Sequence, residues 1–151
     1  MAIALALHLL AAVIWVGGMF FAYVCLRPVA ASLLEPPHRL QLWAHTFARF
    51  FPWVWTAIIV LIFSGHAMIA FLGGFSGVGK HVHIMLGLGY IMFLIFAHLY
   101  FAPFKRLKTA VEAADWGVAA NNLNLIRKMV GINLVLGLIT VAVASGGRYL
   151  F

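Results

Sequence analysis

Four long apolar stretches without charged side chains constrain this chain more than any other feature. No Asp, Glu, Lys or Arg occurs in residues 1–26, 50–79, 81–104 or 129–147. A helix needs about 20 mainly apolar residues to cross the hydrocarbon core of a bilayer. Each stretch therefore predicts a membrane-spanning helix, and the fold class is predicted to be all-α, an integral membrane bundle of four transmembrane helices.

Composition excludes the other broad classes of protein. The chain is 66% hydrophobic and 9% charged, whereas soluble domains carry about 25% charged residues. Thirteen Phe and five Trp exclude a disordered chain. The 151 residues predict one domain over 1–151, with spans at about residues 2–26, 50–74, 81–103 and 127–147. Cys25 is the only cysteine, which excludes an intrachain disulfide.

The net charge of +7 indicates topology rather than nucleic-acid binding, because the basic residues lie between the apolar stretches. Eight of the ten Lys and Arg residues fall in the first and third connections. These eight are Arg27, Arg39, Arg49, Lys105, Arg106, Lys108, Arg127 and Lys128. Lys80 and Arg148 remain on the opposite side. The positive-inside rule then predicts a multi-pass protein of the bacterial inner membrane with both termini in the periplasm.

The histidines are the groups in the predicted spans that are suited to metal or proton chemistry. There are seven in the chain, and no span contains a carboxylate or a lysine. Imidazole in hydrocarbon is costly and usually marks a ligand, a proton relay or a helix–helix hydrogen bond. Their positions along the spans predict an outer layer of His8, His66 and His83 and an inner layer of His45 and His98.

The third span places two histidines on one helical face. His83, Gly87, Tyr90, Leu94 and His98 follow a 4-3-4-4 spacing, which keeps them on the same side of a helix. At 1.5 Å per residue, His83 and His98 are about 22 Å apart along the axis. One metal cannot bind both, because metal–imidazole bonds are only about 2 Å long. The spacing is typical of two centres stacked across the bilayer.

Other interpretations of these residues stay open at this stage. His8 and His66 are also compatible with simple hydrogen bonds between helices. His81 lies beside Lys80 and is predicted to be solvated at the interface, and His38 follows two prolines in a predicted surface loop. Thioether sulfur suits copper(I), but the methionines of the spans lack a paired spacing, so core packing is favoured for them. These are Met19, Met68, Met85 and Met92.

The sequence resembles a known family. The segment from His8 through Trp15 and Gly17-Gly18 to Arg27-Pro28 looks like the first span of the CopD-type copper-resistance membrane proteins. It is also similar to the HemJ-type protoporphyrinogen oxidases, which are four-helix haem proteins of similar length. The likeness continues through the third span to Lys105-Arg106 and through Arg127-Lys128 to Asn133.

The resemblance implies haem b held by histidines of the bundle, with His8 matching the family's first-span histidine. It also shows a departure from the HemJ-type pattern, which has a lysine two positions after the third-span histidine and an Asn-Glu-Pro in the last span. Here those places hold Met85 and Asn133-Leu134. The departure weakens the case for porphyrinogen oxidation.

The predicted function is that of a b-type cytochrome, an inner-membrane protein with one or two haem b groups that transfers electrons. His8, His66, His83, His98 and His45 are the predicted cofactor-binding residues, and the first four of them are the predicted metal ligands. The expected partners are the lipid bilayer and a membrane quinol or a redox protein, with no nucleic acid; self-association is left open. The alternatives are copper transport or resistance, and a HemJ-type oxidase. Whether the chain is an enzyme, as a haem-dependent oxidoreductase, is left open as well.

Overall fold

A computed structural model describes residues 1–149, apart from the Arg148 side chain; residues 150–151 of the predicted domain lie outside it. Four helices are long and apolar enough to cross a membrane, and residues 1–149 contain no strand. They are α1 (Ala2–Leu33), α2 (Pro36–Phe71), α3 (Lys80–Glu112) and α4 (Trp116–Gly146). The predicted fold class is confirmed. α1 and α3 continue past the predicted ends of their spans, and α2 and α4 begin before the predicted starts, so most of the first and third connections are helical. α2 and α4 end slightly before residues 74 and 147.

The four helices form two hairpins. α1 packs mainly against α2, and α3 mainly against α4. α4 also contacts α1 and α2, which joins the two hairpins into one bundle. Asn133 supports the α3–α4 pairing, since its amide nitrogen donates a hydrogen bond of 3.0 Å to the Met92 carbonyl in the buried interior.

Two prolines account for irregular turns in α1 and α3. A π-helical segment, Phe21–Leu26, precedes Pro28, and a second one, Tyr100–Phe104, contains Pro103. Proline lacks an N–H group and its ring clashes with the carbonyl four residues earlier. A wider turn relieves that clash, so both helices continue into their basic ends instead of stopping.

A third proline corrects a sequence-based prediction. Pro52 is expected in the first turn of the second helix, but α2 begins at Pro36 and Pro52 lies in its interior. The helix absorbs it, and the Pro52 carbonyl accepts a hydrogen bond of 3.0 Å from the Thr56 hydroxyl. Pro36 takes the N-terminal position instead, where a missing N–H costs nothing.

The remaining turns have ordinary chemical causes. Gly73 and Gly74 adopt φ values of +92° and +82° after α2, a region that favours glycine. Between α3 and α4, Ala114 has φ of +54°, and Asp115 accepts a hydrogen bond of 3.1 Å from the Val118 amide. That contact caps the start of α4.

The core is a cluster of aromatic rings, most of which pack edge-on. Phe51 is 2% exposed and lies at its centre, with ring centroids 4.9 Å from Phe47 and 4.7 Å from Phe104. Trp55 packs edge-on against Phe96 at 5.2 Å. These rings fill the space between α2 and α3, so aromatic contacts also join the two hairpins.

Candidate functional site

Polar side chains gather where α1 begins, α2 ends and α3 begins, and we call this region the histidine end. Here His8 of α1 contacts α2, with its Nδ1 atom 2.8 Å from the Ser64 Oγ atom. The His8 ring also packs over Gly65, where a Cβ atom would lie 3.3 Å from the imidazole Cε1. His8 is therefore held between the first two helices, and both its ring and its hydrogen bond are fixed.

The protonation of the His8 ring follows from the neighbouring hydroxyl. Ser64 has one proton, which its Oγ atom donates to the Val60 carbonyl at 2.5 Å. The Ser64 oxygen must then accept from His8, so Nδ1 carries the proton. In the neutral imidazole this leaves Nε2 with a free lone pair.

His66, like His8, carries its proton on Nδ1. Its Nδ1 atom lies 2.8 Å from the Ile62 carbonyl, which can only accept, so Nδ1 donates. Its Nε2 atom points to α3, where the Tyr90 hydroxyl donates to it over 3.4 Å. His66 thus presents an accepting nitrogen towards the third helix.

His83 lies across one aromatic ring from His66. The Phe75 ring centroid is 6.5 Å from that of His66 and 6.2 Å from that of His83. The His83 Nδ1 atom donates to the Gly79 carbonyl at 3.3 Å, which again leaves Nε2 unprotonated in the neutral ring. Three histidines at this end therefore present the same nitrogen.

The three do not converge on one point, which differs from the predicted outer layer. No group of three or more His, Cys, Asp or Glu side chains able to hold a metal occurs within residues 1–149. Ser64 and His66 are two residues apart on α2, and successive helical residues are about 100° apart, so they lie on nearly opposite faces. His8 is hydrogen-bonded to Ser64 on one face of α2, while His66 on the other face points to α3.

The predicted shared face of α3 lies on the outside of the bundle. All five of its residues are exposed, from His83 through Tyr90 to His98. His45 on α2 is exposed as well, so the predicted inner layer is two outward-facing side chains and not an interior pair. The ligand roles of His45 and His98 stay predictions.

His81 is less solvated than its neighbour Lys80 suggested. Its side chain is half-buried against the end of α4, and a Cβ atom at Gly147 would come within 2.7 Å of the His81 Cβ. The His81 Nδ1 atom is buried without a hydrogen-bond partner. Glycine at position 147 thus lets His81 pack closely against the end of α4, which removes the Nδ1 atom of this half-buried imidazole from water.

Comparison with known proteins decides the family. The family model described as "Copper resistance protein D" matches residues 44–146, more than half of the chain. The chain belongs to the CopD family. Neither the curated proteins nor the solved structures give a match.

The CopD match supports one part of the sequence resemblance. The matched range includes His66, His83 and His98, whereas His8 and the first-span segment precede it. The HemJ-type likeness is not shown by it. Copper, the alternative in the sequence interpretation, is therefore better supported than haem electron transfer as a function of this CopD protein.

Haem b does not fit the two main cavities of the bundle. The larger, about 620 Å³, is lined by residues of α1, α2 and α4 at the opposite end, and no histidine is among them. The smaller, about 20 Å³ next to Asn133 and Phe51, has room for about one water molecule. Neither joins an imidazole to a space of porphyrin size.

Sequence reasoning missed the partners that orient the imidazoles in this CopD protein. Ser64, Tyr90 and Phe75 all contact histidines, yet none belongs to a recognisable motif. Of these three residues, only Tyr90 could have been singled out from the sequence, because it shares the predicted histidine face of α3. Met19 and Met92 are 4% and 3% exposed, which confirms core packing for these two methionines.

Proposed function

We propose that this CopD-family protein is a copper-handling membrane protein, which binds copper ions as cargo at its histidine end for transport or resistance. One observation carries the proposal. His8, His66 and His83 each use Nδ1 for a local hydrogen bond, so Nε2 is unprotonated in each neutral ring, and at His66 it accepts only the long contact from Tyr90. Histidines that bind metals are usually held in this way, since the second bond fixes the tautomer and the direction of the lone pair.

The ligand chemistry is suited to copper. Neutral imidazole binds copper well, and a hydrogen bond from Nδ1 raises the basicity of the ligating nitrogen. The only acidic residues of the chain, Glu35, Glu112 and Asp115, lie in or beside the connections at the other end of the bundle, so a cation here depends on the imidazoles for its coordination. Tyr90 lies within reach of the His66 Nε2 atom and holds that ring in place until a metal replaces the contact.

Copper positions that offer one imidazole each favour transport of the ion over its storage. Conduction requires binding that is favourable enough for entry and weak enough for release, commonly at several positions. His66 and His83, on either side of Phe75, provide two such positions at the α2–α3 turn. A copper ion exchanging between them stays within one end of the bundle.

The distribution of basic residues supports an orientation for this path. We place the histidine end on the periplasmic side of the inner membrane, because eight of the ten Lys and Arg residues occur at or near the other end. Copper arriving from outside the cell then meets His66 and His83 first.

A copper titration tests the proposal. The purified full-length protein is titrated with copper(I) against a coloured chelator, next to the variants His8→Ala, His66→Ala and His83→Ala. We expect each variant to bind copper about tenfold more weakly, and the triple variant not to compete with the chelator. His38→Ala is the matched control, because His38 is exposed near the start of α2.

Two results would contradict the proposal. One is a triple variant that retains wild-type copper affinity. The other is a reduced-minus-oxidised spectrum of low-spin haem b that is lost in the same variants, because it would assign the histidines to electron transfer. Uptake into proteoliposomes then separates transport from simple binding.

A further inference from the structure

A cleft of about 620 Å³ lies at the end of the bundle opposite the histidines, and we call it the basic cleft. It is lined by α1, α2 and α4, and three arginines reach it, one from each helix. They are Arg27, Arg39 and Arg127. Arg27 and Arg39 are half-buried, and Arg127 is exposed.

The three guanidinium groups have little to bind within the protein. Arg27 stacks over the Tyr23 ring at 5.0 Å, and Arg39 makes one hydrogen bond of 3.5 Å to the Ala31 carbonyl. Within the described part of the chain, none of them pairs with a carboxylate. The whole chain has only three acidic residues. Most of the donors of these groups are therefore free, although their positive charges share one cleft.

The floor and mouth of the basic cleft are apolar. Leu40, Trp43 and Phe47 line it from α2 and are buried, and Trp116 borders it at the start of α4. Val24, on the π-helical segment of α1, also lines it and is 47% exposed on the outer surface of the bundle. A ligand here meets positive charge and apolar surface together, next to the face that contacts lipid.

We propose that the basic cleft binds an anionic phospholipid, with the phosphate of the headgroup between the arginines and the upper part of an acyl chain against the apolar lining. Guanidinium groups bind phosphate through paired hydrogen bonds. Basic pockets between membrane helices are a recurring site for acidic lipid headgroups. A small soluble anion would leave the exposed Val24 and the half-buried Trp116 and Leu123 uncovered, which favours a lipid over free phosphate.

Native mass spectrometry of the full-length protein in detergent tests this site. The protein is titrated with phosphatidylglycerol, with phosphatidylcholine and with inorganic phosphate in separate arms. We expect phosphatidylglycerol to bind preferentially, and Arg39→Gln to weaken it about tenfold, as removal of a charged hydrogen bond does. Arg39→Lys, which keeps the charge but loses the planar fork, should retain part of the affinity.

The control is Arg49→Gln, because Arg49 is an exposed arginine of α2 that does not line the cleft. It should bind phosphatidylglycerol as the wild type does. Equal loss in both variants would overturn the site, as would equal affinity for phosphatidylcholine. Displacement of the lipid by inorganic phosphate at similar concentration would overturn the lipid assignment. Copper affinity, measured in parallel, should be the same in all these variants.

Discussion

The two halves of the bundle are packed differently. On α2, eight of the ten buried residues lie between Leu40 and Ile58, and only Ser64 and Ile69 lie nearer the histidine end. α3 buries no residue before Met92. The basic half has an aromatic core beside the basic cleft, whereas the histidine half is joined by a few hydrogen bonds and ring contacts.

This difference suggests that the basic half stabilises the fold and the histidine half binds the ligand. In a bilayer the hydrophobic effect does not drive helices together, so their association depends on van der Waals packing and hydrogen bonds. The basic half, which has the aromatic cluster, is therefore expected to hold the bundle together. The histidine half is freer to exchange a ligand, since few packed side chains must move. The four predictions below test this division.

The largest effect is expected from Phe51→Ala. Removing a ring at the centre of the aromatic cluster should lower the free energy of unfolding by about 3–5 kcal/mol. Phe63→Ala is the control, because Phe63 is 73% exposed and should change it little. Thermal unfolding in detergent measures both. Similar losses in the two variants would show that the aromatic cluster does not dominate stability.

The next effect concerns His8. Ser64→Ala removes the acceptor that orients its imidazole but leaves the imidazole in place, so it should weaken copper binding by no more than the about tenfold loss expected of His8→Ala. Copper(I) titration measures this, with Ser76→Ala, an exposed serine of the α2–α3 turn, as control. Unchanged affinity in Ser64→Ala would separate His8 from the copper site.

A smaller effect is expected at the α3–α4 contact. Asn133→Ala removes the hydrogen bond to the Met92 carbonyl, and bonds between membrane helices contribute about 1 kcal/mol. Asn121→Ala, at an exposed position, should have no effect on unfolding. If Asn133→Ala stabilises the protein instead, its unpartnered Oδ1 atom costs more than the bond contributes.

The smallest effect is expected from Tyr90→Phe. The hydroxyl holds His66 over a long 3.4 Å contact, so its loss should change copper affinity only a few-fold. Tyr100→Phe is the matched control, since Tyr100 packs against other rings at the core. A loss as large as that of His66→Ala would make Tyr90 a copper ligand itself.

The sequence predicts the helices well because charge and length decide them. The charge-free stretches identify all four, and the 4-3-4-4 spacing correctly places His83 and His98 on one face. What it does not predict is which way that face points. Periodicity gives the relative positions of side chains on one helix, whereas the neighbouring helices decide which face is covered.

The sites are harder to predict for the same reason. The position of a histidine along a span gives its depth, but not its direction around the axis, so His8 and His66 share a depth and face different neighbours. Each π-helical turn also adds a rotation. Prolines accompany both turns, but Pro52 lies in a regular helix, so a proline in the sequence does not by itself predict such a turn. The basic cleft depends on residues 27, 39 and 127, which only the packed bundle brings together.

The length of α2 has a consequence for how the protein sits in its membrane. Its 36 residues extend about 54 Å, and the hydrocarbon core is about 30 Å thick. Helix length therefore does not fix the depth of the chain, because the bundle remains long enough in bilayers of different thickness. Depth is set instead by the arginines of the basic end and by interfacial side chains such as Trp53, which is 61% exposed. We therefore expect the charged end of the bundle to stay at the headgroups in bilayers of different thickness.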